Sequence, residues 1–407
     1  MRILMLDNEY PPLGGGMGTV NQEVVRVFAR HTDLEIDLIT SAIGGRPETE
    51  RIAERIIMHK VPVWNRNIHH STNRELLLYA AQSLPLAYMH HLRRPYDLCL
   101  AWSALPAGAA ALALRRLSGI PFVVWVSGPD IPGFEQRYEW LYPLLTPTIR
   151  AVWRGAASVI AKCAEEIAMI QVVDPAIEPV LIPNGVDLDV FRPSRTKAGE
   201  EPLKVICVAR LIERKGQHHL IEAIRRLAVD GVMVTAELVG TGDSQHDLEV
   251  QARAAGVADR VIFSGYVPRE QIAERYAMAD VFVLPSYNEG LSLAALEALA
   301  AGLPLVVTRT GGTNDLVHEE TNGLTFNWGD SATLATHLRR LAEDRALVQR
   351  MGEESRKRAY RFGWEAIAEQ FLQTLESVPM HHLNRTRQRV RNDPLRIRRD
   401  LQGSSHE

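Results

Sequence analysis

The chain starts a second series of strands and helices at residues 203–209, which read LKVICVA. A short, mostly apolar run followed by helical periodicity at Gln217–Leu227 indicates a strand buried on both faces and then a helix that covers it. The stretch just before this run, Pro193–Pro202, is polar and has no periodicity. We therefore place a domain boundary after residue 190, with one α/β domain on each side.

The same alternation of apolar runs and helical stretches fills both halves of the chain. Helical periodicity occurs, for example, at Val20–Ala29 and Ser331–Ala342. Strands that are apolar throughout, separated by helices, are typical of parallel sheets covered on both faces, so the predicted fold class is α/β with two Rossmann-like halves. The predicted strands are Arg2–Leu6, Ile36–Thr40, Asp97–Ala101, Phe122–Val126, Ser158–Ala161, Lys204–Ala209, Thr235–Val239, Val261–Ser264, Val281–Leu284 and Leu305–Thr308.

Composition excludes several classes of protein. The 407 residues are 46% hydrophobic, which argues against global disorder, and a net charge of −3 gives no reason to expect a nucleic-acid partner. The three cysteines (Cys99, Cys163 and Cys207) are too scattered for a disulfide framework or a metal site, so we expect a reducing, cytoplasmic compartment. Residues 1–7 do not resemble a signal peptide, and the longest uncharged stretch, Leu98–Leu114, is too short to span a membrane.

The charge is unevenly distributed along the chain. Residues 380–407 contain seven arginines and three acidic residues, a charge of +4, which leaves −7 on the rest of the chain. Hydrophobic residues become rare after Pro379, so we predict a basic, disordered tail at 380–407.

A glycine-rich turn follows the first strand, with Gly14, Gly15 and Gly16 just before a helical stretch. It lacks the third glycine of the dinucleotide fingerprint, the second strand does not end in an acidic residue, and the chain has no Walker motif. Consecutive glycines allow a ligand to approach the backbone, and amides before a helix favour an anion. A flexible linking loop is an equally good interpretation of this segment taken alone.

Two cations lie between a strand and a helix in the second half of the chain. Arg210 is at the carboxyl end of the predicted strand, and Lys215 comes just before the helix. Together they could neutralise a diphosphate without a metal ion. The alternative is a pair of solvated surface charges, and the position at a strand end favours function.

Two glutamates surround the start of a short predicted helix, Leu293–Ala301, which Ser292 caps. Glu289 precedes this helix, and Glu297 lies on it among alanines and leucines. A carboxylate on an apolar helix needs hydrogen-bond donors, such as the vicinal hydroxyls of a sugar or ribose, and an ion pair with a structural arginine is the alternative. The amides of residues 290–292 (Gly290, Leu291 and Ser292) are placed to hold a phosphate.

With these motifs in place, the sequence resembles family 4 glycosyltransferases, which are retaining enzymes of the GT-B fold. The resemblance covers Arg2 to Leu375, and its most specific piece is the Glu289-x7-Glu297 motif. The supporting pieces, in this order along the chain, are Gly14–Gly16, Pro183–Asp187, Val208–Arg210 with Lys215–Gly216, Gly240–Gly242, Gly311–Asp315 and Phe362–Glu365.

The resemblance implies a role for each matching residue. Arg210 and Lys215 bind the donor diphosphate, and Glu297 binds the ribose hydroxyls. Glu289 contacts the transferred sugar. The resemblance also places Gly15 and Gly16 beside the donor phosphates and the acceptor. It places Tyr266 and Val267 near the nucleobase. With Arg210 and Lys215, Glu289 is the predicted catalytic group, and no metal is implied.

One loop departs from the family pattern of His-Gly-x-Asp. Ser127 stands at the histidine position, while Gly128 and Asp130 remain. The resemblance makes Ser127 and Asp130 candidates for contacts to the sugar or the acceptor.

The resemblance also implies the domain plan. An acceptor-binding domain at 1–190 and a nucleotide-sugar-binding domain at 191–360 have parallel sheets that face each other across a cleft. Residues 361–379 form a helix that crosses back to the N-terminal domain.

The implied function is transfer of a sugar, with retention, from a UDP- or GDP-sugar to a hydroxyl of a glycan, glycolipid or lipid-linked acceptor in cell-envelope or exopolysaccharide biosynthesis. A nucleotide-sugar epimerase, a phosphorylase and a non-catalytic sugar-nucleotide-binding protein are the alternatives. Two stretches, Arg74–Arg94 and Arg137–Arg154, combine basic with apolar or aromatic residues. They suggest that the protein binds peripherally to the inner face of an anionic membrane. The alternative interpretation is that both stretches are helices packed on the first sheet.

Overall fold

The computed structural model describes residues 1–31, 33–65, 71–193 and 202–379. The predicted basic tail at 380–407 lies outside these residues, as does most of the polar stretch before residue 203. The chain forms two compact units. The first contains residues 1–130, 140–160 and the described chain from 371 onward, and the second contains 131–139 and 161–370. The domain limits at 190, 360 and 379 remain predictions.

The first unit is built on a sheet with the strand order β3-β4-β2-β1-β5-β6-β7. Its pairings are parallel except between β3 and β4. Ile3 to Leu6 of β1 are fully buried, because helices cover the central strands on both faces. The elements are β1 (Arg2–Leu6), α1 (Gly16–Phe28), β2 (Glu35–Ala42), β3 (Glu48–Ala53), β4 (Ile56–Pro62), α2 (Asn73–Arg93), β5 (Leu98–Ala101), α3 (Ala109–Ser118), β6 (Phe122–Trp125), α4 (Tyr142–Gly155) and β7 (Ser158–Ala161).

The second unit contains a six-stranded, fully parallel sheet in the order β11-β10-β9-β12-β13-β14. Val205 and Cys207 of β9 enter one hydrophobic core and Ile206 enters another, so each face of the sheet has its own core. The elements are α5 (Ala164–Val173), β8 (Val180–Leu181), β9 (Leu203–Val208), α6 (Gln217–Val229), β10 (Val234–Val239), α7 (Gln245–Ala254), β11 (Val261–Gly265), α8 (Arg269–Met278), β12 (Val281–Leu284), α9 (Leu293–Ala300), β13 (Leu305–Thr308), α10 (Thr313–Leu316), β14 (Gly323–Phe326), α11 (Ser331–Glu343), α12 (Arg345–Ala359) and α13 (Trp364–Ser377).

The last helix, α13, contributes to both units. Residues 364–370 group with the second unit, and the chain from Phe371 groups with the first. The Phe371 ring packs against Trp102 and Trp125 at centroid distances of 5.9 and 4.6 Å. This aromatic cluster anchors the end of the described chain in the core of the first unit.

The predicted α/β class with two parallel sheets is confirmed. The ten predicted strands all form, with small shifts at their ends. Four further strands, β3, β4, β8 and β14, were not predicted. The residues of β3 are mostly exposed and largely charged, which removes the apolar signal on which strand prediction depends.

The topology of the second unit brings several loops to one edge of its sheet. Because all six strands are parallel, the segments that follow β9, β11 and β12 leave the sheet at the same edge. Strand β9 pairs with both β10 and β12 and is therefore central. The turn after β9 and the loop after β12 are neighbours as a result.

Gly216 allows these two segments to approach closely. Its φ is +68°, and a Cβ atom there would overlap the carbonyl oxygen of Pro285. Gly231, at the other end of α6, has a similar φ of +73°, but a Cβ there would have no atom within 4 Å. The two glycines thus share a backbone requirement and differ in packing.

We expect Gly216→Ala to lower the free energy of unfolding more than Gly231→Ala does. Gly231→Ala is the control and carries only the penalty for a side chain at positive φ, about 1–2 kcal/mol. Gly216→Ala adds to this penalty a clash with the Pro285 backbone, which cannot move aside. Urea titration followed by circular dichroism measures both losses. Equal losses in the two variants would contradict the close approach at Gly216.

Candidate donor-binding site

The turn after β9 presents two of the predicted cations. Arg210 is exposed, and its carbonyl oxygen accepts a hydrogen bond of 2.9 Å from the side-chain amide of Gln217. The Leu211 amide donates to the carbonyl of Thr241 at 2.9 Å, which ties the turn to the segment after β10. A single 3-10 turn, Glu213–Lys215, then leads through Gly216 into α6.

The loop after β12 ends in the helix that the sequence predicts. Helix α9 spans Leu293–Ala300, and the Ser292 hydroxyl caps it by accepting from the Ala295 amide at 3.3 Å. The predicted cap is therefore confirmed. Gly290 packs so closely against the Glu166 carboxylate that a Cβ there would lie 2.6 Å from its Oε1. The loop is thus held on one side by the first turn of α5.

An ion pair joins the turn to the loop. The Lys215 ammonium contacts Oε1 of Glu289, and the two side chains are 14% and 15% exposed. Burial alone would raise the pKa of Glu289, but the charge and hydrogen bond of Lys215, with the charge of Arg214, hold this pKa below its ordinary value. Glu289 is therefore a carboxylate at neutral pH.

Glu297 is half-buried on α9, where Tyr276 of α8 donates its hydroxyl to Oε2 of Glu297 at 2.9 Å. The same hydroxyl lies 3.1 Å from the carbonyl oxygen of Ala294. Burial, together with the charge of Glu297, raises the pKa of Tyr276 well above its usual value, so the hydroxyl remains protonated and donates. Tyr276 therefore orients the Glu297 carboxylate.

Two further loops support this edge. A Cβ at Gly312 would overlap the carbonyl oxygen of Gly290, and Asn184 donates its side-chain amide to the carbonyl of Leu291 at 2.8 Å. Tyr266 and Val267 follow β11 at the same edge of the sheet, and the Tyr266 side chain is 68% exposed. The structure thus gathers the candidates of the second unit at one edge: Arg210, Lys215, Tyr266, Val267, Glu289, Gly290, Leu291, Ser292 and Glu297.

The remaining candidates belong to the first unit. Gly15 is the N-cap of α1, Gly16 is its first residue, and both are exposed. The loop before them is held by Asp7, whose carboxylate accepts from the Asn21 side chain at 2.7 Å and from the Glu9 amide at 3.0 Å. A ligand could therefore reach the backbone at Gly15 and Gly16.

Asp130 is buried and makes several contacts within the first unit. Its Oδ2 accepts from the amide and the hydroxyl of Ser127, both at 2.8 Å, and from the Ala104 amide at 2.9 Å. Burial raises the pKa of Asp130, and these hydrogen bonds oppose the rise. In this arrangement Asp130 fixes the loop that carries Ser127, and a direct contact of either residue with a sugar remains a prediction.

Among the described residues, one group of histidine, cysteine and acidic side chains is close enough to hold a metal ion. It consists of Asp37, His59 and His90, whose ligand atoms lie within 4.8 Å of one another. The Asp37 carboxylate already accepts from the Arg2 guanidinium and, at 2.7 Å, from the Tyr96 hydroxyl. Burial would raise the pKa of Asp37, but its hydrogen bonds and the charge of Arg2 lower it to about 2. The group contains none of the candidate donor residues.

Sequence reasoning missed two residues at this edge. Tyr276 lies on the mostly polar helix α8, and nothing in the sequence pattern links it to Glu297. Arg214 stands next to Lys215 and was not singled out, although a second cation beside a predicted phosphate ligand is itself a signal. Arg214 contacts the residue that precedes Glu289, since its Nη1 lies 3.4 Å from the carbonyl oxygen of Asn288.

Comparisons with known proteins identify the family of this chain. The model of Glycosyltransferase Family 4 matches residues 14–190, and the model of Glycosyl transferases group 1 matches residues 191–358. A GDP-mannose-dependent alpha-(1-6)-phosphatidylinositol monomannoside mannosyltransferase of Mycobacterium tuberculosis (strain CDC 1551 / Oshkosh) is 30% identical over 301 residues, 69% of this chain and 76% of the relative. The chain belongs to glycosyltransferase family 4. A putative colanic acid biosynthesis glycosyltransferase, WcaL of Escherichia coli (strain K12), is 32% identical to this family 4 enzyme over 250 residues, 57% of this chain and 58% of the relative.

Solved structures show that the family 4 enzyme has the GT-B fold. Sucrose-phosphate synthase from Thermosynechococcus elongatus superposes with a TM-score of 0.82 at 24% identity, covering 92% of this chain and 98% of that one. HepE of Anabaena, in complex with UDP and glucose, gives a TM-score of 0.73 at 22% identity, covering 93% and 100%. In the part of the family 4 enzyme that the structure describes, no helix has both the length and the apolar character needed to cross a membrane.

Proposed function

We propose that this glycosyltransferase moves a hexose, with retention, from a UDP- or GDP-sugar to a hydroxyl of a glycan, glycolipid or lipid-linked acceptor in cell-envelope or exopolysaccharide biosynthesis. The observation that carries the proposal is the edge of the second sheet, where Lys215 pairs with Glu289 and where the elements that carry Arg210 and Glu297 also end or begin. We assign one side chain or backbone group at this edge to each part of a nucleotide sugar.

In this proposal, Arg210, Lys215 and the amides of residues 290–292 receive the diphosphate. Charge develops on the leaving phosphate as the glycosidic bond breaks, and preorganised cations and amides stabilise that charge. Glu297, oriented by Tyr276, accepts hydrogen bonds from the ribose hydroxyls, and Tyr266 and Val267 lie beside the base. Glu289 faces the sugar, whose anomeric carbon becomes positively charged in an oxocarbenium-like transition state.

Retention fits a front-face attack in this proposal, because the leaving phosphate can help deprotonate the acceptor hydroxyl on the same face. Two kinds of acceptor are supported by named relatives. The mycobacterial mannosyltransferase acts on a phosphatidylinositol mannoside, and WcaL is assigned to colanic acid biosynthesis. A lipid-linked or polysaccharide acceptor is therefore the class to test first. An epimerase or a binding protein of the same fold is the alternative.

Removal of either cation is expected to abolish most of the activity. We predict that Arg210→Ala and Lys215→Ala each lower turnover by about 10²- to 10³-fold, since each removes a charge that stabilises the leaving group. The measurement is release or transfer of labelled hexose from UDP-glucose and GDP-mannose, with melting temperatures recorded for every variant. Arg253→Ala and Lys357→Ala, at exposed positions on α7 and α12, are the matched controls.

Several outcomes would contradict this assignment. Near-normal turnover in Arg210→Ala and Lys215→Ala would show that these residues do not bind the diphosphate. Isomerisation of the labelled sugar would show an epimerase, and binding without release or transfer would show a non-catalytic protein.

Transfer is expected to continue in a chelator. Arg210 and Lys215 are proposed to neutralise the diphosphate in place of a divalent ion. The prediction is tested by measuring initial rates with and without EDTA, added in large excess over any trace metal. Loss of activity that added Mg²⁺ or Mn²⁺ restores would overturn it.

We further propose that α4 in the first unit contacts the inner face of a membrane that contains anionic lipids. Helix α4 buries Tyr142, Ile149, Val152 and Trp153, so the predicted packing alternative holds for one of its faces. Trp140 and Leu144, at its start, are 75% and 74% exposed. Arg150 and Arg154 are exposed further along the same helix. Exposed apolar side chains and arginines on one amphipathic helix are typical of a surface that binds anionic lipid headgroups.

Binding to vesicles tests this surface. We expect the protein to sediment with vesicles that contain phosphatidylglycerol, less at high salt, and the double variant Trp140→Ser/Leu144→Ser to bind at least about tenfold more weakly, because it removes two apolar side chains from the interface. Val229→Ser, at an equally exposed position on α6, is the control. No binding to anionic vesicles, or equal binding by all variants, would refute the proposal.

A further inference from the structure

Residues 131–139 follow the Ser127–Asp130 loop of the first unit but group with the second unit, although the chain on either side of them belongs to the first. We call residues 131–139 the positioning segment. It is compact in itself, since the Phe134 amide donates to the Ile131 carbonyl and the Tyr138 amide to the Glu135 carbonyl, both at 3.0 Å. Its place in the second unit results from contacts with residues beside Glu289.

The positioning segment holds the two residues that precede Glu289. The side-chain amide of Asn288 donates to the carbonyl oxygen of Phe134 at 2.9 Å, and the side-chain amide of Gln136 donates to the Tyr287 hydroxyl at 2.9 Å. These bonds involve two positions of the segment, Phe134 and Gln136, that are separated by one residue. They fix both the backbone path and the tyrosine ring just before the catalytic candidate.

Glu135 lies between these two contacts and reaches the other side of the site. It is 7% exposed, and its Oε1 is 3.7 Å from Nε of Arg214. Arg214 in turn holds the same loop: its carbonyl oxygen accepts from the Tyr287 amide at 2.7 Å, and its Nη1 lies 3.4 Å from the Asn288 carbonyl oxygen. The next residue in the chain is Lys215, which pairs with Glu289.

We propose that Glu135 is a positioning residue of the donor site, which acts through Arg214 to hold the Tyr287–Asn288 backbone where Glu289 and Lys215 meet the nucleotide sugar. This inference rests on the proposed function of Glu289 and Lys215. Glu135 touches neither of them directly. Its buried carboxylate orients the guanidinium, and the guanidinium bridges the turn after β9 and the loop after β12.

The contacts exclude a simple surface ion pair. Exposed pairs contribute little because water screens them, whereas the Glu135 carboxylate is almost wholly removed from water. A buried carboxylate whose charge is removed leaves its partner cation without compensation, so the partner reorients. Loss of Glu135 should therefore act on the position of Arg214 and, through it, on the loop that carries Glu289.

The first test is a double-mutant cycle on Glu135→Gln and Arg214→Gln. We expect each single variant to lower kcat/KM with the faster of UDP-glucose or GDP-mannose by about tenfold, and the double variant to be little worse than either one, because the two residues act as a unit. Glu139→Gln is the matched control within the segment, where the side chain is exposed, and Arg253→Gln is the control for the arginine. Additive losses in the cycle, or losses no larger than those of the controls, would overturn the proposal.

A pH profile separates positioning from a general loss of structure. The charged groups that face Glu289 are Lys215 and Arg214, and Glu135 faces Arg214. Arg214 helps to keep the pKa of Glu289 low, so Arg214→Gln should raise that pKa and move the acid limb of kcat/KM to higher pH. Because Glu135→Gln lets Arg214 reorient away from Glu289, it should also move the acid limb to higher pH, by no more than Arg214→Gln does. A shift to lower pH in Glu135→Gln, which is the direct effect of removing a nearby negative charge, would contradict positioning through Arg214.

Further variants keep the result interpretable. Arg214→Lys keeps the charge but loses the second donor, so it should retain the wild-type acid limb and still lose the loop contact, which appears as a lower kcat/KM. Lys215→Ala and Glu289→Gln are measured in the same series. If these two remain active, the proposed donor site itself is wrong. If they are inactive while Glu135→Gln behaves as Glu139→Gln does, only the role of Glu135 is refuted.

Discussion

The ion pair between Lys215 and Glu289 is the interaction on which the candidate site depends. The two residues are 74 positions apart and follow neighbouring strands of one parallel sheet, β9 and β12. Both side chains are largely withdrawn from water, at 14% and 15% exposure, so each charge requires the other. Removing one partner of such a pair leaves a poorly solvated charge behind. This destabilises the fold more than replacing both partners by apolar residues does. The pair therefore fixes the turn after β9 against the loop after β12.

Close backbone packing makes this arrangement rigid. At Gly216 the turn meets the carbonyl of Pro285, and at Gly312 the next loop meets the carbonyl of Gly290, without room for a Cβ in either place. Three successive segments at the edge of the sheet thus contact one another through backbone atoms. Amides held in this way need little reorganisation when charge develops on a leaving group, which is the condition for electrostatic stabilisation of a transition state. The glycines are therefore required by packing, and the candidate site is built on that packing.

Much of the fold could be predicted from the sequence, because buried parallel strands leave an unmistakable apolar signal. The end of β9 and the start of α9 were placed within a residue or two, and the Ser292 cap was identified from its residue type and position. The edge strand β3 (Glu48–Ala53) was missed because it is exposed and pairs through its backbone with β4, which an apolar pattern does not record. Strand prediction from hydrophobicity works for strands that are apolar throughout and fails for an exposed, charged strand such as β3.

The candidate site was less predictable than the fold, for a related reason. Arg210 could be singled out at a strand end and Glu297 on an apolar helix, where a charge is unusual. Lys215 and Glu289 could be singled out because each precedes a helix in a segment that follows a strand. Tyr276 and Glu135, which support these residues, could not be predicted from the sequence. They reach the site only through the tertiary structure and carry no local signal. Tyr276 is fully buried and donates to Glu297 from a different helix. Residues that position a site are thus harder to read from a sequence than the residues that would touch the ligand.

The proposed chemistry makes use of the signs of the central ion pair. As a glycosidic bond to a diphosphate breaks, the anomeric carbon becomes positive and the leaving oxygen becomes negative. Lys215 and Glu289 carry the two opposite charges at one place, and the low pKa of Glu289 keeps its carboxylate ionised at neutral pH. In the proposed mechanism, a bound diphosphate would compete with Glu289 for Lys215, and Glu289 would then lose part of the positive charge that compensates it. The cationic sugar of the transition state would supply that charge again, so this exchange of partners would favour the transition state over the ground state.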